Sequence, residues 1–304
     1  MQRRHFLTSA FATAATVATS QADHPAEKKD APAEKKDPLF KISLAQWSNH
    51  RLIFSKKITN LGWPDYVQKT YGISGLEFVN QFFKDKARNV AYLRDLKRRV
   101  ENAGSTSLLI MVDGEGHMGA DTEAARQKTV DNHKKWVDAA KFLGCHSIRV
   151  NSYTKIKEKD VAAKHCVDGL QKLSQYAAGH DINVIVENHG GLSSDGAWMA
   201  GVLKDVGMEN CGSLPDFGNF HGYDRYQGIK DLMPFAKGVS AKSREFNEAG
   251  DEVQTNFEKA MKIVLEHNYH GWVGVEFEGN KHSEDEGVKL TKALLEKVRN
   301  KLQA

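Results

Sequence analysis

Eight short apolar runs, all but the first followed by a segment of helical periodicity, restrict what this chain can fold into more than any other feature. The runs lie at 42–47, 73–79, 107–112, 147–150, 183–186, 212–214, 238–241 and 272–275. Their spacing is that of a strand plus a returning helix. Helical stripes fill the gaps at 87–103, 122–143, 157–178, 197–206, 226–235, 253–267 and 284–302. In the first of these, Val90, Leu93, Leu96 and Val100 form one apolar face with lysines and arginines opposite. Strand and helix alternating in this way predict an α/β fold, a single closed (β/α)8 TIM barrel spanning residues 40–304. An open doubly wound sheet is the competing arrangement, but no glycine-rich phosphate turn follows the first run.

The segment before the barrel reads differently. Arg3-Arg4-His5-Phe6-Leu7 is a twin-arginine start, followed by an alanine- and threonine-rich stretch. Ser20-Gln21-Ala22 then offers small residues for cleavage before Asp23, so residues 1–22 are expected to be a twin-arginine signal peptide. That leader is too short and too polar for a lasting membrane helix, and the mature protein is expected in the periplasm or another extracytoplasmic space. Pro-Ala-Glu-Lys-Lys-Asp occurs twice in the next stretch, and residues 23–39 are expected to be a disordered linker, having too little apolar surface to offset ordering entropy.

Composition excludes several functions. A net charge of +4, partly carried by this N-terminal segment, makes no basic stripe interleaved with aromatics, so no nucleic-acid partner is expected. Cys145, Cys166 and Cys211 have neither zinc-site nor disulfide spacing and are expected as buried small hydrophobes. Oligomeric state is not legible.

In a barrel of this kind the chemistry sits at the carboxyl ends of the strands. The residues there are Gln46 and Trp47; Glu77; Asp113, Glu115 and His117; Arg149 and Asn151; Glu187 and His189; Asp216, Asn219 and His221; Lys242 and Arg244; and Glu276 and Glu278. Alternation along a strand puts Glu276 with Glu278, Arg149 with Asn151, and Ser240 with Lys242 on common faces. So many acids repel one another unless cations neutralise them. A divalent ion (Mn²⁺, Mg²⁺, Co²⁺ or Zn²⁺) satisfies this requirement, and so does a salt-bridge network with Arg149, Lys242 and Arg244. Trp47, Phe78, Phe82 and Phe83 offer an apolar wall for a sugar ring, or core packing. No phosphate cradle is visible.

Several of these stretches together resemble the xylose isomerase-like barrels of the sugar phosphate isomerase/epimerase superfamily. They are Ile73-Ser74-Gly75-Leu76-Glu77-Phe78, Gly144 to Asn151, Val184-Ile185-Val186-Glu187-Asn188-His189, Leu214-Pro215-Asp216-Phe217-Gly218-Asn219-Phe220 and Gly274-Val275-Glu276-Phe277. The resemblance implies a divalent metal held by Glu187, Asp216 and Glu276. It also implies catalysis by Glu187 and Glu276 on opposite faces of a carbohydrate. Substrate contacts are expected from Trp47, Glu77, Arg149, Asn151, His189, His221 and Lys242. The implied activity is a metal-dependent sugar isomerase or epimerase working through an enediolate. Two further activities stay open: a lyase expelling the aglycone of a 3-keto-glycoside, and a barrel that binds carbohydrate without transforming it. A metal-dependent nuclease lacks its histidine-rich mouth and basic face here.

One strand departs from the family pattern. The family's valine-histidine-x-lysine-aspartate on strand seven is Val239-Ser240-Ala241-Lys242-Ser243 here, so a serine replaces the histidine ligand. Asn219 likewise stands where many relatives have a histidine on strand six. His189 and His221 are the imidazoles left to supply a nitrogen, or a hydrogen bond to substrate.

Overall fold

The computed structural model describes residues 37–304. The expected signal peptide, and the linker up to residue 36, lie outside the described residues. Val184, Ile185 and Val186 show why strands form where they do: stiff β-branched side chains suit an extended chain buried on both faces. All three are fully buried; Val184 and Val186 join the layer between sheet and helices, while Ile185 joins a separate cluster with Ala45, Val79, Leu109, Met111 and Leu214. That second cluster is the apolar part of the barrel lumen.

The strands are β1 (Lys41–Ala45), β2 (Gly75–Val79), β3 (Thr106–Met111), β4 (Ser147–Val150), β5 (Asn183–Glu187), β6 (Cys211–Leu214), β7 (Val239–Ser243) and β8 (Trp272–Phe277). All ladders are parallel, in the order β6-β5-β4-β3-β2-β1-β8-β7. Between β6 and β7 the ladder thins to single parallel bridges, Ser213 with Ala236 and Asp216 with Ser240. Ser240 N donates to Pro215 O (2.9 Å) and Phe217 N to Ser240 O (3.0 Å), closing the circle. The expected (β/α)8 barrel is the observed one, with each strand within a few residues of its sequence-predicted run.

Around it lie α1 (His50–Phe54), α2 (Trp63–Tyr71), α3 (Val90–Asn102), α4 (Glu123–Leu143), α5 (Lys159–Ala178), α6 (Gly196–Val206), α7 (Arg225–Leu232), α8 (Phe257–Glu266) and α9 (Glu284–Gln303). Caps set several of their starts. Asn89, Thr122, Asp195, Asp224 and Asn256 each accept a backbone N–H from the first turn, and Ser283 with Glu286 forms a capping box. The helix over Trp63–Tyr71 lies outside the periodic segments of the sequence, although Trp63, Val67 and Tyr71 share one buried face. The three cysteines are free and buried, as expected. Among the described residues, no helix is long and apolar enough to cross a membrane.

The lumen is unusually polar below the mouth. Ser43, Glu77, Arg149, Glu187, Asp216, Ser240, Lys242 and Glu276 are all buried. Gly274 makes this possible at one level, since a Cβ there would fall 2.5 Å from Glu77 Oε1.

Candidate active site

At the carboxyl ends of the strands, the parallel register gathers the expected acids. Lys242 pairs with Glu276 across β7 and β8, and the bridge between Asp216 and Ser240 joins β6 to β7. Glu187, Asp216 and Glu276 each bring one oxygen within 4.8 Å of the others, a buried triad that could bind a metal ion.

Each triad residue already has partners within the protein. Asn219 Nδ2 donates to Glu187 Oε1 (3.0 Å), and Arg149 Nε lies 2.9 Å from Glu187 Oε2 as an ion pair without hydrogen-bond alignment. Asp216 Oδ1 accepts from the backbone N–H groups of Gly218 (2.8 Å) and Asn219 (2.9 Å). Ser240 Oγ lies 2.8 Å from both Asp216 Oδ2 and Glu276 Oε2. Its single proton serves one of them at a time. Lys242 Nζ sits among all of these, 3.4 Å from Glu276 Oε1, 3.5 Å from Glu278 Oε1, 3.6 Å from Asp216 Oδ2 and 3.9 Å from Glu187 Oε1.

Electrostatics separates the acids. Burial pushes Glu187 and Asp216 up to about 7, against the pull of Arg149 on the first and Lys242 on the second. Burial acts on Glu276 too, but Lys242, Ser240 and Arg149 outweigh it and leave this carboxyl below its ordinary value. Lys242 is held above its usual range because the surrounding carboxylates overcome its desolvation. Asp113 is drawn down to about 2, despite partial burial, by the Arg149 guanidinium (2.8 Å) and Asn151 Nδ2 (2.7 Å).

A cavity of about 370 Å³ opens above this cluster. Its lining includes Trp47, Val79, Gln81, Asp113, Arg149, His189, Asn219, His221, Lys242, Arg244, Glu276 and Glu278. Trp47 stacks on His50 (ring centroids 4.7 Å apart) and against Phe82 (6.1 Å).

The structure thus brings Trp47, Arg149, His189, His221, Lys242 and Glu276 to one cavity. Glu187 and Asp216 are fully buried and do not line it. Glu77 lies deeper, accepting from Ser43 Oγ (2.6 Å), with its other oxygen unpartnered and burial raising it to about 8. Asn151 reaches the site through Asp113. Glu115 is held by Trp136 and Lys135 and does not line the cavity. Asp113 and Glu278 were legible as mouth acids without a specific role; Arg244, expected in a salt-bridge network with such acids, pairs with Glu278 (3.2 Å); Gln81, just past β2, gave no sequence signal. Phe78 and Phe83 are core residues, packed with Trp63 and Trp136.

Eight parallel strands with charged side chains gathered at their carboxyl ends define a (β/α)8 barrel with a polar, charged mouth. A family model described as xylose isomerase-like TIM barrel matches residues 66–299, and the chain belongs to that family. Among solved structures it is similar to a D-tagatose 3-epimerase-like protein at 16% identity and TM-score 0.69, covering 86% of this chain and 100% of that one. The 3-keto-D-glucoside 4-epimerase from E. coli aligns at 15% identity and TM-score 0.67, over 85% and 99% of the two chains. An IOLI protein with a bound zinc atom aligns at 16% and 0.68, over 86% and 99%. At these identities the likeness is one of fold. No curated protein matches the chain.

Proposed function

We propose that this protein is a sugar-modifying isomerase or epimerase that moves a proton on the carbon beside a carbonyl. The observation that carries the reading is Glu276 Oε1 on the cavity wall 3.4 Å from Lys242 Nζ, a base beside a cation. In this reading the Glu276 carboxylate takes the C–H proton, and the electron pair moves into the carbonyl to form an enediolate. A cation held among the carboxylates lowers the cost of the charge on that oxygen. Arg149 and Asp113 orient the substrate hydroxyls, His189 and His221 contact them from the rim, and Trp47 covers an apolar ring face. Protonated Glu276 returns the proton to the neighbouring carbon for isomerisation; for epimerisation a second acid, expected to be Glu187, delivers a proton to the opposite face. Glu187, expected as the second catalytic carboxylate, lies below the cavity beside Arg149 and Lys242.

The fold neighbours support this reading, since two of those described are a ketose epimerase-like protein and a keto-glucoside epimerase. Were a divalent ion bound, the oxygen-only triad would favour Mg²⁺ or Mn²⁺ over Zn²⁺ or Co²⁺. A second reading, elimination from a 3-keto-glycoside, uses the same enediolate and fits an exported protein. We place the mature protein outside the cytoplasm on its twin-arginine start alone. The test is deuterium incorporation from D₂O into a panel of ketoses and 3-keto-glycosides, followed by NMR. Exchange that requires Glu276 supports the proposal; no exchange with any substrate favours a carbohydrate-binding barrel.

A further inference from the structure

A divalent ion would have to enter a cluster whose oxygens are already committed. Six carboxylate oxygens belong to Glu187, Asp216 and Glu276, and each has an ion-pair or hydrogen-bond partner from Arg149, Asn219, Ser240, Lys242 or the backbone after Asp216. Ser240 is the sharpest misfit. It stands where the family pattern has a histidine nitrogen, and its hydroxyl, a neutral and weak ligand, is spent between two of the three acids. Any ion that entered would also be pressed against the Lys242 ammonium, which occupies the space those acids share. With Ser240 in place of the histidine, and the Lys242 ammonium 3.4–3.9 Å from all three acids, the donor set does not fit a divalent ion.

The surroundings are shaped to this lysine. Its methylene stem runs past Gly218, where a Cβ would fall 3.0–3.2 Å from Lys242 Cβ, Cγ and Cδ. Gly218 thus leaves the slot through which the side chain reaches the cluster. Lys242, itself buried, and Glu276 line the cavity, whereas Glu187 and Asp216 do not. A substrate in the cavity therefore borders Lys242 and Glu276 and not the other two acids.

We infer that Lys242 is the resident cation of this site, taking the place and the electrostatic role of a divalent ion, so that the carboxylate cluster binds no metal. Building on the proton-transfer reading, its ammonium donates a hydrogen bond to the substrate carbonyl oxygen and to the enediolate that follows. No covalent bond to lysine forms. Ser240 ties Asp216 to Glu276, as a fourth ligand would tie them through an ion.

The test measures metal directly, so it is independent of whether the substrate class is right. The mature protein is dialysed against chelator, and binding of Mg²⁺, Mn²⁺ and Zn²⁺ is followed by elemental analysis and by shift of Tm. For the wild type we expect far less than one ion per chain and no rise in Tm. Lys242→Met is expected to be less stable and to gain about one Mn²⁺ per chain with a rise in Tm, because removal of the ammonium frees the acids. Lys242→Arg is the check if the Met variant does not fold, and is expected to stay metal-free. One ion per wild-type chain, lost in Asp216→Asn, would overturn the inference. Where deuterium exchange is found, it is expected to survive chelation undiminished; a tenfold loss restored by Mn²⁺ would overturn the inference as well. Absence of exchange altogether bears on the proton-transfer reading and not on metal content.

Discussion

Ser240 bridges to Asp216 twice over, through backbone pairing at the β6–β7 seam and through its hydroxyl, 2.8 Å from Asp216 Oδ2. The seam where the barrel closes is thereby also the place where its acids are tied together. The position that would hold a metal-binding imidazole in the family pattern instead carries a hydrogen-bond link, and Lys242, two residues on, carries the positive charge.

Glu276→Gln keeps shape and hydrogen-bonding reach but cannot accept a proton. The proposed chemistry predicts a loss of roughly 10²–10⁴-fold in deuterium exchange or turnover. Circular dichroism and Tm should remain close to wild type, since Ser240 can still donate to the amide oxygen. Exchange at the wild-type rate in this variant would remove Glu276 from the mechanism.

Glu77 makes stability depend on pH. Its carboxyl is raised by burial to about 8 in the folded chain, against an ordinary value of 4.5. Below both values it is protonated in both states and contributes no pH dependence. Between them the unfolded chain releases a proton that the folded chain retains, so stability falls as pH rises from about 4.5 to about 8. Glu77→Gln removes this loss. Relative to wild type the variant should gain on the order of 3 kcal/mol between pH 5 and pH 8. Urea unfolding of both proteins at the two pH values measures it.

Gly274 and Glu77 share one space. Gly274→Ala would place a methyl 2.5–2.9 Å from the Glu77 carboxyl group, a collision at the centre of a packed lumen. A cost of about 1–3 kcal/mol is expected. The double variant Gly274→Ala/Glu77→Ala should recover part of it, and a double-mutant cycle by chemical denaturation reads the coupling.

Trp47 is half-buried, braced by His50 and Phe82, and faces the cavity. Its apolar, non-titrating ring predicts a binding role. Trp47→Ala should raise KM roughly three- to tenfold with kcat nearly unchanged. A fall in kcat at constant KM would instead tie the ring to the chemical step.

The strands were legible in the sequence because each is a short apolar run whose partners repeat at a regular interval. Most of the surrounding helices were legible from their stripes. The helices over His50–Phe54 and Trp63–Tyr71 were not: the first is only about a turn and a half long, and the second shows its face only through Trp63, Val67 and Tyr71. Glu187, Asp216 and Glu276 could be singled out because strand-end acids break apolar runs abruptly, and they do converge. Their exposure could not be read, because it depends on what the neighbouring strands place above them.

What the sequence by itself determined is therefore the barrel and the set of charged residues at its mouth. Alternation along a strand is a local property, and it assigns faces without knowledge of neighbours. Which cation balances those acids was decided only by tertiary structure. Lys242 reaches the cluster because β7 lies beside β8 in register, Gly218 leaves room for its stem, and Arg149 approaches Glu187 from the opposite side. Electrostatic balance depends on distances between residues far apart in the chain, and those distances exist only once the barrel has closed.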